Sequence, residues 1–368
     1  MGAAGSSALW RTAARGATVL GFEQFDIAHS RGSSHGDSRL FRTALAEGPQ
    51  YVDLVQRAKR LWRELEQESG EHLLGLVGGV SIGSPDGDML ATTQRVVDEY
   101  RLEHERFGTE ELRQRYPQHR VREGAAGLLD PGTGYIRPEA SIRAAVDAAR
   151  RLGAKVADRT LVTAVEPDGD GVWIRTTAGD YRVAKVIVSA GAWVKQLLPG
   201  LTVPVEVRRA VLSWFRPRSG REELFLPDRF PVFMHDDGDR RGWGAPMIDE
   251  SGVKVGMHDN GGALIEDPGA NPRQVRPEEL EAVTEFVRDT LPDLEPVVHR
   301  SHGCMISVTP DEAFSLGYTQ AYPNVVVLAA CSGHGFKHAS AVGDVGAELA
   351  VAGEASLDLS AFSPDRFA

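Results

Sequence analysis

Two hydrophobic periods alternate along this chain. Residues 51–69 carry Val52, Leu54, Val55, Ala58, Leu61, Trp62 and Leu65 at helical spacing, which predicts a helix with one buried face. Residues 86–113 predict a second helix, charged along one side. Residues 138–152 predict a third, begun by a proline in its first turn and ended by Gly153. Two more are expected over 277–291 and 340–351. Strand-like runs fall at 73–81, 203–215, 253–257 and 324–330, the last apolar throughout after Asn324. Residues 161–165, 171–177 and 182–188 are short strands, and the turns around Gly169 and Gly179 make them a meander. That meander returns to a buried strand over 186–190. Residues 117–134 read as loop, with a turn at Asp130-Pro131-Gly132.

The first 23 residues add a motif to this pattern. Gly2 and Gly5 have the spacing of the last two glycines of G-x-G-x-x-G. A helical run follows (Ala8, Leu9, Trp10, Ala13, Ala14), then a strand over 17–22, then Glu23, eighteen residues after Gly5. This is the order of a dinucleotide-binding unit, in which backbone approaches a pyrophosphate and an acid accepts from a ribose hydroxyl. The first glycine and the strand before it are absent, and Met1 fills the slot between the first two glycines. The expectation is a start codon read too late, with the first strand coded upstream. Strand–helix units at both ends, with antiparallel-looking strands between, predict a parallel sheet interrupted by a second domain.

Composition narrows the class. A chain of 368 residues with 42% apolar and 25% charged content suits two globular domains. Its net charge of −11 argues against nucleic acid and anionic membrane as partners. No apolar run reaches the ~18 residues of a spanning helix. Two cysteines make neither a disulfide framework nor a metal array, and the expected compartment is the cytoplasm.

Candidate chemistry sits in four places. The polar stretch 29–48 holds His35, Arg39 and Arg42; if helical, the two arginines share a face and clamp a carboxylate, and otherwise they are a solvated turn. Lys254 and His258 project to one face of a strand. Cys304, two residues after His302, is either a small core thiol or a nucleophile with a base beside it, and Cys331 reads as core. Gly333 and Gly335 suit a tight strand–helix turn whose N–H groups face an anion or a flavin pyrimidine.

Three segments together carry a resemblance: Gly32-Ser-Ser-His-Gly-Asp-Ser-Arg-Leu-Phe-Arg42, Cys304-Met through Thr309-Pro-Asp311, and Ser332-Gly-His-Gly-Phe-Lys337. Over nearly its whole length the chain resembles the monomeric sarcosine oxidase and N-methyltryptophan oxidase family, within the D-amino-acid-oxidase-like flavoproteins. The resemblance implies an α/β fold: an FAD-binding Rossmann-like domain of the glutathione-reductase type, its first strand truncated, over 1–76, 135–207 and 311–368. It implies an antiparallel-sheet α+β substrate domain over 77–134 and 208–310.

The resemblance also implies FAD, attached by a thioether from Cys304 to the flavin 8α carbon. Arg42 and Lys337 match the pair that holds the substrate carboxylate. Lys254 matches a lysine that promotes reduction of O2, and His258 a histidine near the flavin and the substrate amine. Ser34, His35 and Arg39, with Gly333, Gly335 and Lys337, match flavin contacts. Gly2, Gly5 and Glu23 match ADP contacts, and Val162 a residue whose backbone meets the adenine.

The implied activity is demethylation of an N-methyl amino acid of the sarcosine or N-methyltryptophan type, with O2, to amino acid, formaldehyde and H2O2. The implied enzyme is a monomer with no metal. Trp243 and Ile306 stand where sarcosine-active members carry tyrosines, so the pocket differs in shape and polarity. His302-Gly303 also departs from the usual residues before the cysteine. Oxidation of a cyclic or D-amino acid (pipecolate-like), or a truncated inactive FAD-binding product, are the alternatives.

Overall fold

The computed structural model describes residues 1–43, 47–258, 262–329 and 331–368. The helix Ala3–Ala14 is built from small and apolar residues, so nearly all of it can be covered: Gly5 through Trp10 are buried. It packs between the helices Pro138–Arg151 and Ala339–Ala352. A Cβ on Gly343 would lie 2.4 Å from the Ala8 backbone nitrogen, so a glycine there sets how close the two helices come. Asp344, buried one residue on, accepts from Arg11 at 2.8 Å and Arg15 at 2.7 Å and pairs with Arg57. The helix predicted over 51–69 spans Val52–Ser69 and buries the apolar residues expected of it.

On this side the strand Leu20–Phe22 runs parallel to Lys155–Ala157. Val186–Val188 runs parallel to Tyr322–Ala329, which pairs antiparallel with Ser315–Thr319. The meander Val162–Asp168, Gly171–Thr176 and Gly179–Val183 follows the predicted hairpins, with Gly169 and Gly179 both at positive φ. Among the described residues Leu20–Phe22 and Val186–Val188 each pair on one edge only, and both line the same cavity. The Met1 side chain lies against the first of them: a Cβ on Gly21 would fall 2.5 Å from its sulfur.

The other side is an eight-stranded sheet in the order Leu294–Val308, Glu206–Pro217, Val253–Met257, Arg241–Ala245, Val232–Asp236, Gly79–Gly83, Ala126–Asp130, Glu105–Phe107. It is antiparallel except where Val232–Asp236 meets Gly79–Gly83 in parallel. Its back face packs on the helix Glu281–Thr290 and a cluster of Phe215, Phe225, Phe230, Phe233 and Phe286.

Three expectations fail in this sheet. The helix over 86–113 is two helices, Asp88–Glu99 and Thr109–Arg115, with the strand Glu105–Phe107 between them. Arg101 turns left-handed at φ 51°, and the Leu102 N–H bonds back to the Val97 carbonyl at 2.9 Å, which closes the first helix. The loop over 117–134 contains the buried strand Ala126–Asp130. The 73–81 run is broken into Leu74–Gly75 and Gly79–Gly83, where Gly78 takes φ 79°. No helix is long and apolar enough to cross a membrane among the described residues.

Candidate active site

A cavity of about 1540 Å³ runs between the two sides, larger than the ~300–1,000 Å³ of most small-molecule pockets. One end is lined by Glu23, Val162, Gly2 and Ser34, and the far end by Cys304 and Gly333.

At the near end Gly2 caps the helix Ala3–Ala14 in extended conformation with no side-chain cap, and the Ala3 N–H reaches Ser34 Oγ at 3.2 Å. A Cβ on Gly5 would lie 2.4 Å from Ser189 Oγ. Bare glycine backbone at a helix N-terminus is a seat for an anion. Glu23 is 5% exposed. Its carboxylate accepts the Phe25 N–H at 2.9 Å, stands 3.3 Å from His29 Nε2 and pairs with the Met1 ammonium. Burial lowers that ammonium to about 5 and His29 to about 4.

At the far end Cys304 is 3% exposed, on the long strand opposite Ala210. His302 stands in the same strand, and its ring meets that of His35 edge-on at 4.7 Å. His35 is buried with its Nε2 unpartnered, and burial, with Arg39 adding to it, pushes its pKa down to about 2. Arg39 donates to the carbonyls of Ser33 at 2.8 Å and Ser38 at 2.9 Å. Lys254 is fully enclosed on the strand Val253–Met257 and donates to the carbonyls of Gly36 and Ser38, both at 2.7 Å. Burial, then the nearby Arg39, push its ammonium well below the ordinary lysine value. Gly256 and His258, further along the same face, line the cavity, and His258 is exposed to it.

Beside this lies a pair of cations on one carboxylate. Glu47 Oε1 accepts from Arg42 Nη2 at 2.5 Å and from Lys337 Nζ at 2.9 Å. Burial alone would raise the Glu47 carboxyl, but Arg42 and Lys337 outweigh it and hold it well below the carboxylate range. Lys337 is 3% exposed; burial lowers it to about 8 although Glu47 opposes the shift. Its Nζ also donates to the His334 carbonyl, and the Trp62 indole N–H fixes the Lys337 carbonyl at 3.1 Å.

These residues fit a bound dinucleotide. The glycine-capped helix, the buried acid one strand later, the size of the cavity and the unpartnered His35 nitrogen behind its wall are all present on this chain. The sequence matches the family described as DAO, FAD dependent oxidoreductase, over residues 1–349. The chain belongs to the FAD-dependent oxidoreductase family.

Curated relatives of this FAD-dependent oxidoreductase include a monomeric sarcosine oxidase of Streptomyces avermitilis. It is 35% identical, with 100% of this chain and 96% of that protein covered. An N-methyl-L-tryptophan oxidase of Salmonella agona is 34% identical over 100% of this chain and 97% of its own. In fold the chain is similar to NikD, an amino acid oxidase of nikkomycin biosynthesis, at TM-score 0.86 and 23% identity over 99% and 95% of the two chains. It is also similar to the L-proline dehydrogenase of P. horikoshii at TM-score 0.85 and 20% identity, covering 100% and 95%.

The structure of the oxidoreductase brings the residues singled out in the sequence to one cavity, with two exceptions. Gly2, Gly5, Glu23, Ser34, Arg39, Arg42, Val162, His258, Cys304, Gly333, Gly335 and Lys337 line it, whereas His35 and Lys254 sit behind its wall. Two expectations are corrected. Arg39 and Arg42 share no helical face: Arg39–Phe41 is a strand paired with Gly134–Ile136, so the two guanidinium groups serve different places. Cys331 is no core residue; it is exposed and lines the cavity, and a Cβ on Gly335 would collide with it at 2.1 Å. Glu47 was not singled out, because one acid in a polar stretch carries no mark of its partners. No group of three metal-ligating residues occurs among the described residues.

Proposed function

We propose that this FAD-dependent oxidoreductase oxidises a small N-methyl amino acid with O2 and water, releasing the amino acid, formaldehyde and H2O2. The observation that carries the reading is the convergence of Arg42 and Lys337 on a single carboxylate oxygen at the cavity wall. A buried lysine and a half-buried arginine at 2.9 and 2.5 Å from one oxygen are a seat for the acid group of an amino acid. The relatives whose names specify sarcosine and N-methyl-L-tryptophan support the same class.

Held by its carboxylate, the substrate is fixed in one orientation, which turns a bimolecular encounter into a positioned one. Bound FAD supplies acceptance of a hydride equivalent and its delivery to O2. Glu23, Gly2, Gly5, Ser34 and Val162 hold its ADP half, and Arg39, Gly333 and Gly335 its ring, with His35 behind the wall on that side. Cys304 is its covalent attachment point through sulfur. Lys254, when protonated, provides a positive charge where O2 is reduced, in a water-poor setting that strengthens its effect. His258, exposed to the cavity, faces the substrate amine and takes a proton there. Trp243 and Ile306 line the cavity and make an apolar wall for the substrate side chain. The enzyme works as a monomer, as the name of one relative has it. Its compartment is the cytoplasm, which its two free cysteines suit.

The test is a panel of N-methyl amino acids given to FAD-loaded protein, with peroxide and formaldehyde both measured. Matched yields of the two support the reading. Peroxide without formaldehyde points to a cyclic or D-amino acid instead, and neither product from any member ends it.

A further inference from the structure

We propose that Glu47 is a built-in competitor for the carboxylate seat: its side chain occupies the Arg42–Lys337 pair in the free enzyme and is exchanged for the acid group of the incoming substrate. The inference rests on reading that pair as the substrate seat.

The geometry is that of a carboxylate ligand already in place. One oxygen, Oε1, takes a hydrogen bond from each cation. The other, Oε2, is buried and has no hydrogen-bond partner among the described residues. A carboxylate satisfied on one side only is incompletely held, since a buried acceptor without a donor costs about 1–3 kcal/mol. Glu47 is therefore seated and yet replaceable. Charge makes the two carboxylates exclusive. Two cations and one Glu47 leave the seat with a single net positive charge, and a second carboxylate on the same two donors would meet the first at close range. His334 beside them does not add charge, because burial lowers it to about 4. Docking of an acidic substrate is then an exchange of one anion for another, in which the gain from the new contacts is set against the loss of the old. Glu47 thereby sets the affinity for the carboxylate and disfavours weakly held acids that offer nothing else to the cavity.

The experiment uses FAD-loaded protein and acetate, the simplest carboxylate, with binding followed by calorimetry and by perturbation of the flavin spectrum. Glu47→Gln keeps the shape and removes the charge, and it is expected to bind acetate about tenfold tighter than the parent. Glu47→Asp, one methylene shorter, reaches the two cations less well and is also expected to gain; it serves if the glutamine variant does not load FAD. Arg42→Met in the parent is expected to weaken acetate. Loss in Arg42→Met with no gain in either Glu47 variant overturns the proposal and leaves the seat standing. Acetate affinity unchanged in all of them overturns the seat and the proposal together.

Discussion

The Lys254 ammonium donates to the Gly36 carbonyl at 2.7 Å, and so ties the middle of the eight-stranded sheet to the polar loop that carries His35 and Arg39. The same ammonium lies 5.2 Å from the centre of the Trp214 ring and 5.9 Å from that of Trp243. Two carbonyls and two indole faces surround this group, with no ion pair to it among the described residues, which leaves its charge available to negative charge that develops nearby.

Lys254→Met should separate the two halves of the reaction. The side chain keeps its length and loses its charge. Reoxidation of the reduced enzyme by O2 is expected to slow about 10²–10³-fold, with a much smaller change in the rate of reduction by substrate. Stopped-flow measurement of each half-reaction checks this, and equal slowing of both would show that the lysine is a structural tie only. A loss of stability on the order of 1–3 kcal/mol for each carbonyl left without its donor is expected in either case.

Cys304→Ala should leave FAD bound and extractable. The cysteine lines the cavity from a buried strand position, where alanine removes only the sulfur. Acid precipitation of the parent is expected to give a yellow pellet and a clear supernatant, and of the variant the reverse. A colourless parent pellet from protein that was yellow before precipitation rules out the covalent link.

The parts legible in the sequence are those where one period runs long enough to count. Val52–Ser69, Pro138–Arg151 and Ala339–Ala352 each bury one stripe or are buried throughout, and Val253–Met257 was read to the residue. The strand Glu105–Phe107 is hidden because three residues cannot show alternation inside the charge-rich run 86–113 that reads as helix. Leu294–Val308 hid for another reason. It is the edge of its sheet, and over residues 294–302 its burial alternates weakly among charged and polar positions. In the site, Arg42 and Lys337 are marked only by the resemblance, since by themselves they read as a charged turn and the end of a glycine turn, and the contact that joins them, Glu47, bridges 290 residues of sequence to Lys337. The carbonyls of Gly36 and Ser38 that hold Lys254 are backbone, and no residue type announces them.

Acid should weaken the fold through the far face of the large sheet. His119 and His235 stack with Phe230, Phe233 and Phe286 and have buried ring nitrogens without partners. Burial lowers His235 to about 4, against Asp237 and Asp236, which oppose the shift. A depressed histidine is neutral in the folded protein while the unfolded chain takes up a proton below about 6.5. Its contribution is therefore intact above pH 6.5 and is lost as pH falls from there to 4, on the order of 3 kcal/mol for this group. Chemical denaturation across that range should show the slope, and His235→Phe should reduce it by about one proton. An unchanged slope would place the acid sensitivity elsewhere.

Gly343→Ala should loosen the cofactor end without touching it. A Cβ there would meet the Ala8 nitrogen at 2.4 Å, Ser7 Cβ at 2.5 Å and the Ser7 carbonyl carbon at 2.6 Å. Two of these are backbone atoms, so the helices must part, at a cost of typically 1–3 kcal/mol. The helix Ala3–Ala14 moves with them, and its N-terminus carries Gly2 and Gly5. The expected result is a lower melting temperature together with less FAD per chain in the purified protein, read by thermal denaturation and by flavin absorbance. A lower melting temperature with FAD held as before would mean that the strain is absorbed within the helix Ala339–Ala352.

Trp243 and Ile306 should decide which amino acid is taken. The Trp243 ring lies across Gly256 on the neighbouring strand, where a Cβ would stand 2.5 Å from it, and its N–H is tied to the Met257 carbonyl at 3.1 Å. It is thus a fixed apolar plate. Ile306 stands near Gly333, a Cβ on which would be 3.7 Å from its Cδ1, so it sits between the long strand and the turn that leads to Lys337. Trp243→Tyr with Ile306→Tyr adds two hydroxyl groups to this wall. A pocket that offers hydrogen bonds discriminates against substrates that cannot use them more strongly than an apolar pocket sorts by size. The ratio of kcat/KM for sarcosine to that for an N-methyl amino acid with a large apolar side chain is expected to rise about tenfold or more in the double variant. Steady-state kinetics with both substrates checks it. If the ratio stays within the parent's error while both substrates slow together, the wall sets the shape of the cavity and specificity lies with other residues.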